Sequence, residues 1–178
     1  MNFIKTSLCV AVAINLGAVM ANVRASRADQ QPSQKQVRFY CGQSFDNSSQ
    51  KILPTTFAAT SQRKEPVAII RWKFGMGKYT PQARCNTVSP KFQTAWTGGK
   101  LNFITAGTAK NGAGIICGIA SKEQACDEST MLFTLKNATQ AQETISGIEG
   151  IRGGSAGGPV FQSSIGEIEP VNLDELLK

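Results

Sequence analysis

The chain has 178 residues, with 19 Lys and Arg against 12 Asp and Glu, a formal net charge of +7, and no histidine. The missing imidazole excludes Ser-His-Asp and Cys-His catalysis and histidine metal sites, and removes the commonest general base near neutral pH. A hydrophobic share of 41% suffices for one core, and the cationic excess lies early: residues 30–100 hold eleven basic and two acidic residues, 101–160 four and five, and 161–178 one and four.

Residues 1–28 read as a secretory signal peptide. Lys5 supplies a positive start, and Ser7 to Met20 is an uncharged, mostly apolar run of 14 residues. Such a run is too short for a membrane span and suits a signal core. Small residues make cleavage after Ala21, Ala25 or Ala28 feasible. The alternative is an uncleaved anchor, since Arg24 and Arg27 follow the apolar run and favour retention of that end. Cys9 leaves with the signal, and Cys41, Cys85, Cys117 and Cys126 remain, an even set for an oxidising compartment.

Residues 29–36 are a polar leader. Val37 to Gln43 alternates as a half-buried strand, FDNSSQK is a turn, Thr55 to Thr60 is a second strand and SQRKE a second turn. Pro66 to Trp72, rich in β-branched residues, is the strongest strand. Short turns between three strands predict an antiparallel meander. Lys73 to Tyr79 is a loop hinged on Gly75 and Gly77. Thr80-Pro81 then opens a helix, because the threonine accepts from free first-turn amides and proline fits the first helical position. Cys85, Val88, Phe92 and Trp96 form its apolar stripe, Pro90 is expected to kink or interrupt it, and Gly98-Gly99 ends it.

Leu101 to Thr105, Gly114 to Ala120 and Met131 to Leu135 are three further strands, with Lys110-Asn111-Gly112 a hairpin turn. Ala141, Ile145, Ile148 and Ile151 predict a second helix over 138–151, with Thr139 as its cap. Residues 153–178 read as a flexible glycine-rich linker and an acidic tail, in which 171–178 form a short helix or nothing. The domain plan is a signal peptide at 1–28, one α+β domain at 29–152 and the linker and tail. The α+β fold is a small antiparallel sheet packed by two helices and stapled by two disulfides.

Four cysteines allow three pairings, and spacing does not choose among them. Placement favours Cys41–Cys85, stapling the first strand to the helix, with Cys117–Cys126 closing a hairpin connection. A four-thiolate metal site is disfavoured, because the spacings of 44, 32 and 9 lack the close pairs such sites use.

The best candidate binding surface interleaves cations and aromatics: Arg71, Trp72, Lys73, Phe74, Lys78 and Tyr79, with Arg84 and Lys91 close behind. Aromatics give flat contact area and cations attract acidic groups. The plain alternative is that Trp72 and Phe74 are core and the lysines solvate a loop. GGSAGGPV at 153–160 resembles the serine-nucleophile stretch of trypsin-like proteases. Ala156 interrupts that pattern, no histidine is present to activate Ser155, and a linker is the simpler reading. Residues 107–114 (GTAKNGAG) lack the core of a phosphate loop. Glu123, Asp127 and Glu128 around Cys126 lack the spacing of a calcium loop and read as a polar turn.

The motifs FYC at 39–41, PTTFAAT at 54–60, PVAIIRW at 66–72, YTPQARCNTVSPKFQ at 79–93, IIC at 115–117, Cys126 and LFTL at 132–135 run in order. Together they resemble the cyanobacterial circadian oscillating protein family over residues 37–152, with Pro90 departing from its pattern and the linker and tail outside it. The resemblance implies an exported or peripherally membrane-associated protein with no established catalysis, and four cysteines in disulfides. The expectation is a non-enzymatic exported domain, in the periplasm or thylakoid lumen, peripheral to a membrane or another anionic surface. Its partner would be an anionic lipid surface, a polysaccharide or an acidic protein, with nucleic acid a poor candidate, no metal and no cofactor. The alternative is a small extracytoplasmic hydrolase or inhibitor.

Overall fold

In the computed structural model, which describes residues 36–152 and 169–178, the chain begins with a long hairpin. Strand β1 (Val37–Asp46) pairs antiparallel with β2 (Lys51–Thr60), and β2 with β3 (Val67–Arg71), in the order β1-β2-β3. The first turn is shorter than expected, because Asp46 organises it: its Oδ2 accepts from the Ser49 amide at 2.9 Å and the Ser48 hydroxyl at 2.7 Å. Both strands therefore run on to the tip, where Phe45 faces Ile52.

Helix α1 (Pro81–Thr97) lies on this sheet. Thr80 caps it by accepting from the Ala83 amide at 3.2 Å. Its stripe of Cys85, Val88, Phe92 and Trp96 is buried, with Phe92 and Trp96 against Phe39. At its end Gly99 adopts a positive φ of 66°, and the amides of Gly99 and Lys100 bond back to Trp96 and Ala95, a Schellman closure. The interruption expected at Pro90 is absent, for α1 runs through it. Pro90 and Asn86, whose carbonyl loses its partner, are both exposed, so solvent satisfies that oxygen while the buried face holds the helix.

The second half repeats the strand-strand-strand-helix order, which no sequence repeat announces. Strands β4 (Phe103–Thr108), β5 (Gly114–Ile119) and β6 (Met131–Leu135) form an antiparallel meander, and α2 (Ala138–Arg152) packs on it. Of the expected stripe, Ala141, Ile145 and Ile148 are buried and Ile151 is half-buried against the same core. The cap is Asn137 rather than Thr139: Asn137 accepts from the Gln140 amide at 3.0 Å, and Gln140 accepts from the Lys136 amide at 3.1 Å. Every residue of β5 is buried, because α2 covers one face, and Phe103, Ala109, Cys126 and Met131 pack over Ile115, Cys117 and Ile119 on the other.

In the C-terminal segment the short helix forms, one of the two outcomes expected for residues 171–178, and a strand that was not expected precedes it. Strand β7 (Val171–Asn172) pairs antiparallel with β4, completing the order β6-β5-β4-β7, and α3 (Leu173–Leu176) follows directly. Val171, Leu173, Leu176 and Leu177 are buried. The α+β class and both disulfides stand, Cys41–Cys85 and Cys117–Cys126, with the strands divided between two sheets. The signal-peptide reading of 1–28 and the glycine-rich stretch containing Ser155 lie outside the described residues.

Candidate functional site

The aromatic and cationic residues singled out around β3 divide into a buried set and an exposed set. Trp72 is core. Its indole N–H donates to Thr56 Oγ1 at 3.0 Å, and Thr56 shares a 2.9 Å hydrogen bond with Ser89 on α1. The Trp72 ring meets Phe133 of β6 edge-on at 5.1 Å, joining the two sheets. Phe74 does not follow it inward: it is 76% exposed. The plain core alternative thus holds for Trp72 and fails for Phe74.

The loop between β3 and α1 is closed on itself. Met76 and Tyr79 exchange backbone hydrogen bonds at 2.9 and 3.0 Å, and Gly77 turns the chain with a φ of 55°. Gly75 is dictated by space, because a Cβ there would lie 2.6 Å from the Tyr79 carbonyl oxygen. Lys78 lies over the Tyr79 ring at 5.7 Å, and Tyr79 is 51% exposed.

A tether joins this loop to the β1–β2 turn. Lys73 Nζ lies 3.1 Å from Asp46 Oδ2 and donates to Ser48 Oγ at 2.7 Å. The Ser49 and Ser48 hydroxyls and Lys73 hold the Asp46 carboxyl far below the usual carboxylate range. Beside that turn stand Phe45, 51% exposed, and Ile52, 67% exposed, facing each other across the hairpin. These two, Phe74 and Tyr79 are the exposed large hydrophobic side chains among the described residues. All four flank the two tethered loops, with Lys51, Lys73 and Lys78 beside them.

The remaining candidates are placed differently. Arg71 is half-buried, and its Nε donates to Ser44 Oγ at 3.1 Å. Arg84 reaches away from α1, donating to the Thr134 carbonyl of β6 at 2.7 Å and the Phe74 carbonyl at 3.3 Å, with its guanidinium 4.6 Å from the Trp72 ring centroid. Burial lowers its pKa. Lys91 is exposed two helical turns further along α1, about 10 Å at the rise of an α-helix, and is not part of this end. A cleft of about 560 Å³ opens between the β3–α1 loop and β6 with the start of α2; Arg84, Lys136, Phe133 and Leu135 line it.

Against this geometry, the family model described as circadian oscillating protein COP23 matches residues 38–178. The chain belongs to the COP23 family. The match runs through β7 and α3, so the C-terminal segment, set outside the resemblance on sequence, belongs to the family's domain. Neither the curated proteins nor the solved structures contain a match.

In this COP23 member the two disulfides point to an oxidising, non-cytoplasmic environment. Among the described residues no helix is long and apolar enough to cross a membrane. Residues 109–113 form a tight hairpin turn, with Gly112 at a φ of 80°. Asp127 accepts from the Ser129 amide and hydroxyl, which lower its pKa, so the acidic stretch around Cys126 is a polar turn. The alternating pattern of β1 stops short of Phe45 when FDNSSQK is read as a turn, so the hairpin tip escapes sequence reasoning. Its signal is Asp46 followed by two serines, the chemistry of a tighter turn.

Proposed function

We propose that this chain is a non-enzymatic, exported docking domain that rests peripherally on an anionic lipid surface, in the periplasm or thylakoid lumen. The observation that carries the reading is the gathering of Phe45, Ile52, Phe74 and Tyr79 on two tethered loops among Lys51, Lys73 and Lys78. A basic residue near an anionic leaflet contributes about 1 kcal/mol. Lys73 is already paired with Asp46, so Lys51 and Lys78 together supply about 2 kcal/mol, too little for stable attachment. The exposed apolar side chains supply the remainder by entering the head-group boundary, where aromatic rings are favoured. Polysaccharide offers no apolar layer for Ile52 and Phe45, which is why lipid is the preferred partner.

The test is co-sedimentation with vesicles of phosphatidylglycerol and phosphatidylcholine, against phosphatidylcholine alone. Binding is expected to the anionic vesicles only, to weaken with salt, and to be lost in a Lys51→Glu, Lys78→Glu double variant and in Ile52→Ser. Lys91→Glu serves as the cationic control and should bind as the parent does. Equal binding by all variants, or capture by an acidic polysaccharide or acidic protein with none by vesicles, would overturn the reading.

A further inference from the structure

We infer that the cleft between the β3–α1 loop and β6 is an anion-binding site. It takes the phosphate or carboxylate head of a small organic molecule on Arg84 and Lys136, with its apolar body against Phe133 and Leu135. The cleft shares Lys73 and Phe74 with the proposed docking surface, whereas Ile52, Phe45 and Lys51 do not line it, so a change at Ile52 tests the two readings separately.

Arg84 is the central observation. Its guanidinium is half-buried and stacked on Trp72, yet the two groups it bonds are the neutral carbonyls of Phe74 and Thr134. Among the described residues no carboxylate pairs with it. A guanidinium has five N–H donors, so three remain, in the planar fork that matches a carboxylate or phosphate. Its position adds to the demand for an anion. Arg84 follows the first three residues of α1, at the end where the helix dipole is positive, and the first turn carries no acidic residue. A cation at that end, drawn partly out of water and given neutral partners, is electrostatically uncompensated.

The surroundings supply the rest of a site. A volume of about 560 Å³ is ample for a small molecule. Lys136 brings a second cation at the β6–α2 junction, held there by the bond from its own amide to Gln140. Phe133 and Leu135 give one wall apolar character, and Glu143 on α2, exposed at the rim, is the acidic residue lining it. Glu143 disfavours a second anionic group on the ligand and favours one head group with an uncharged body.

The probe is phenyl phosphate, with inorganic phosphate and chloride at matched ionic strength as comparisons. Binding is read by fluorescence in a Trp96→Phe background, where Trp72, under the Arg84 guanidinium, is the remaining tryptophan. Phenyl phosphate is expected to perturb Trp72 and raise the melting temperature, inorganic phosphate to do so more weakly, and chloride to do neither. Arg84→Lys keeps the charge but loses the fork, and Lys136→Gln alters an exposed side chain that folding does not need. Each should weaken phenyl phosphate binding about tenfold or more. Absence of any response to phenyl phosphate, or unchanged affinity in Lys136→Gln and Arg84→Lys alike, would overturn the inference. Should phenyl phosphate also release the protein from phosphatidylglycerol vesicles, the head group it mimics is a lipid's; release unaffected by it identifies a soluble ligand. Loss of vesicle binding in Ile52→Ser with phenyl phosphate binding intact separates the two surfaces.

Discussion

Asp46 decides whether the two apolar loops stay together. Its carboxylate gathers the Ser48 and Ser49 hydroxyls, the Ser49 amide and the Lys73 ammonium on one oxygen. The exposed lysine adds little by itself. The hydroxyl and amide bonds to a buried carboxylate weigh more, and the Ser49 and Ser48 hydroxyls are the largest causes of its depressed pKa, followed by Lys73 and the Ser49 amide. In the unfolded chain the carboxyl titrates near 3.9, whereas in the fold it stays ionised well below that. Below pH ~4 the unfolded state therefore binds the proton more readily, and stability falls as pH falls. Asp46→Asn is expected to cost about 1–2 kcal/mol at pH 7. The gap from the parent should narrow at pH 3, as read by urea unfolding at the two values. Other carboxylates titrate in the same range, so the difference between the two proteins isolates this one. A gap of equal size at both pH values would show that charge plays no part in the tether.

At the level of elements, α1 displays both what the sequence makes legible and what it hides. Thr80-Pro81, the stripe of Cys85, Val88, Phe92 and Trp96, and the Gly98-Gly99 end were all readable, because each is a local signal with a stereochemical cause. The continuity of the helix at Pro90 was not, since it depends on the solvent exposure of Asn86 and on the disulfide and packing that pin the opposite face. Proline in a helix interior costs about 3 kcal/mol relative to alanine, and its stiffness in the unfolded chain returns about 0.4–1. Pro90→Ala should therefore stabilise the protein by about 2 kcal/mol, seen as a higher midpoint in thermal or denaturant unfolding. A lower midpoint would mean that the proline ring shapes α1 in a way its exposure does not reveal. The candidate surfaces divide along the same line. Lys78, Tyr79 and Phe74 were legible as an aromatic and basic run, while Phe45, Ile52, Phe133 and Lys136 come to them through tertiary structure alone.

Over the whole molecule, neither disulfide crosses between the two halves. Cys41–Cys85 lies within the first and Cys117–Cys126 within the second. Chain entropy assigns about 4 kcal/mol to the longer loop and about 2.7 kcal/mol to the shorter. Beyond the main chain between α1 and β4, the halves are joined by non-covalent contacts such as Trp72 against Phe133 and Arg84 on the Thr134 carbonyl. The second half is finished by the last eight residues, which an acidic composition and a two-residue strand made easy to dismiss. Those residues bury Val171, Leu173, Leu176 and Leu177 against β4 and α2, and Leu173 also donates its amide to the Asn102 carbonyl at 2.9 Å. Four such side chains contribute about 6–12 kcal/mol of apolar burial, as large as the net stability of a typical domain. Deleting residues 171–178 should therefore abolish cooperative unfolding of the second half, with loss of near-ultraviolet dichroism. Leu173→Ala, a gentler change at a fully buried site, should cost about 2–5 kcal/mol. If the truncated chain unfolded at the parent's midpoint, the segment would be an ornament on a completed core. The expected loss would instead make it the last strand and helix of the fold.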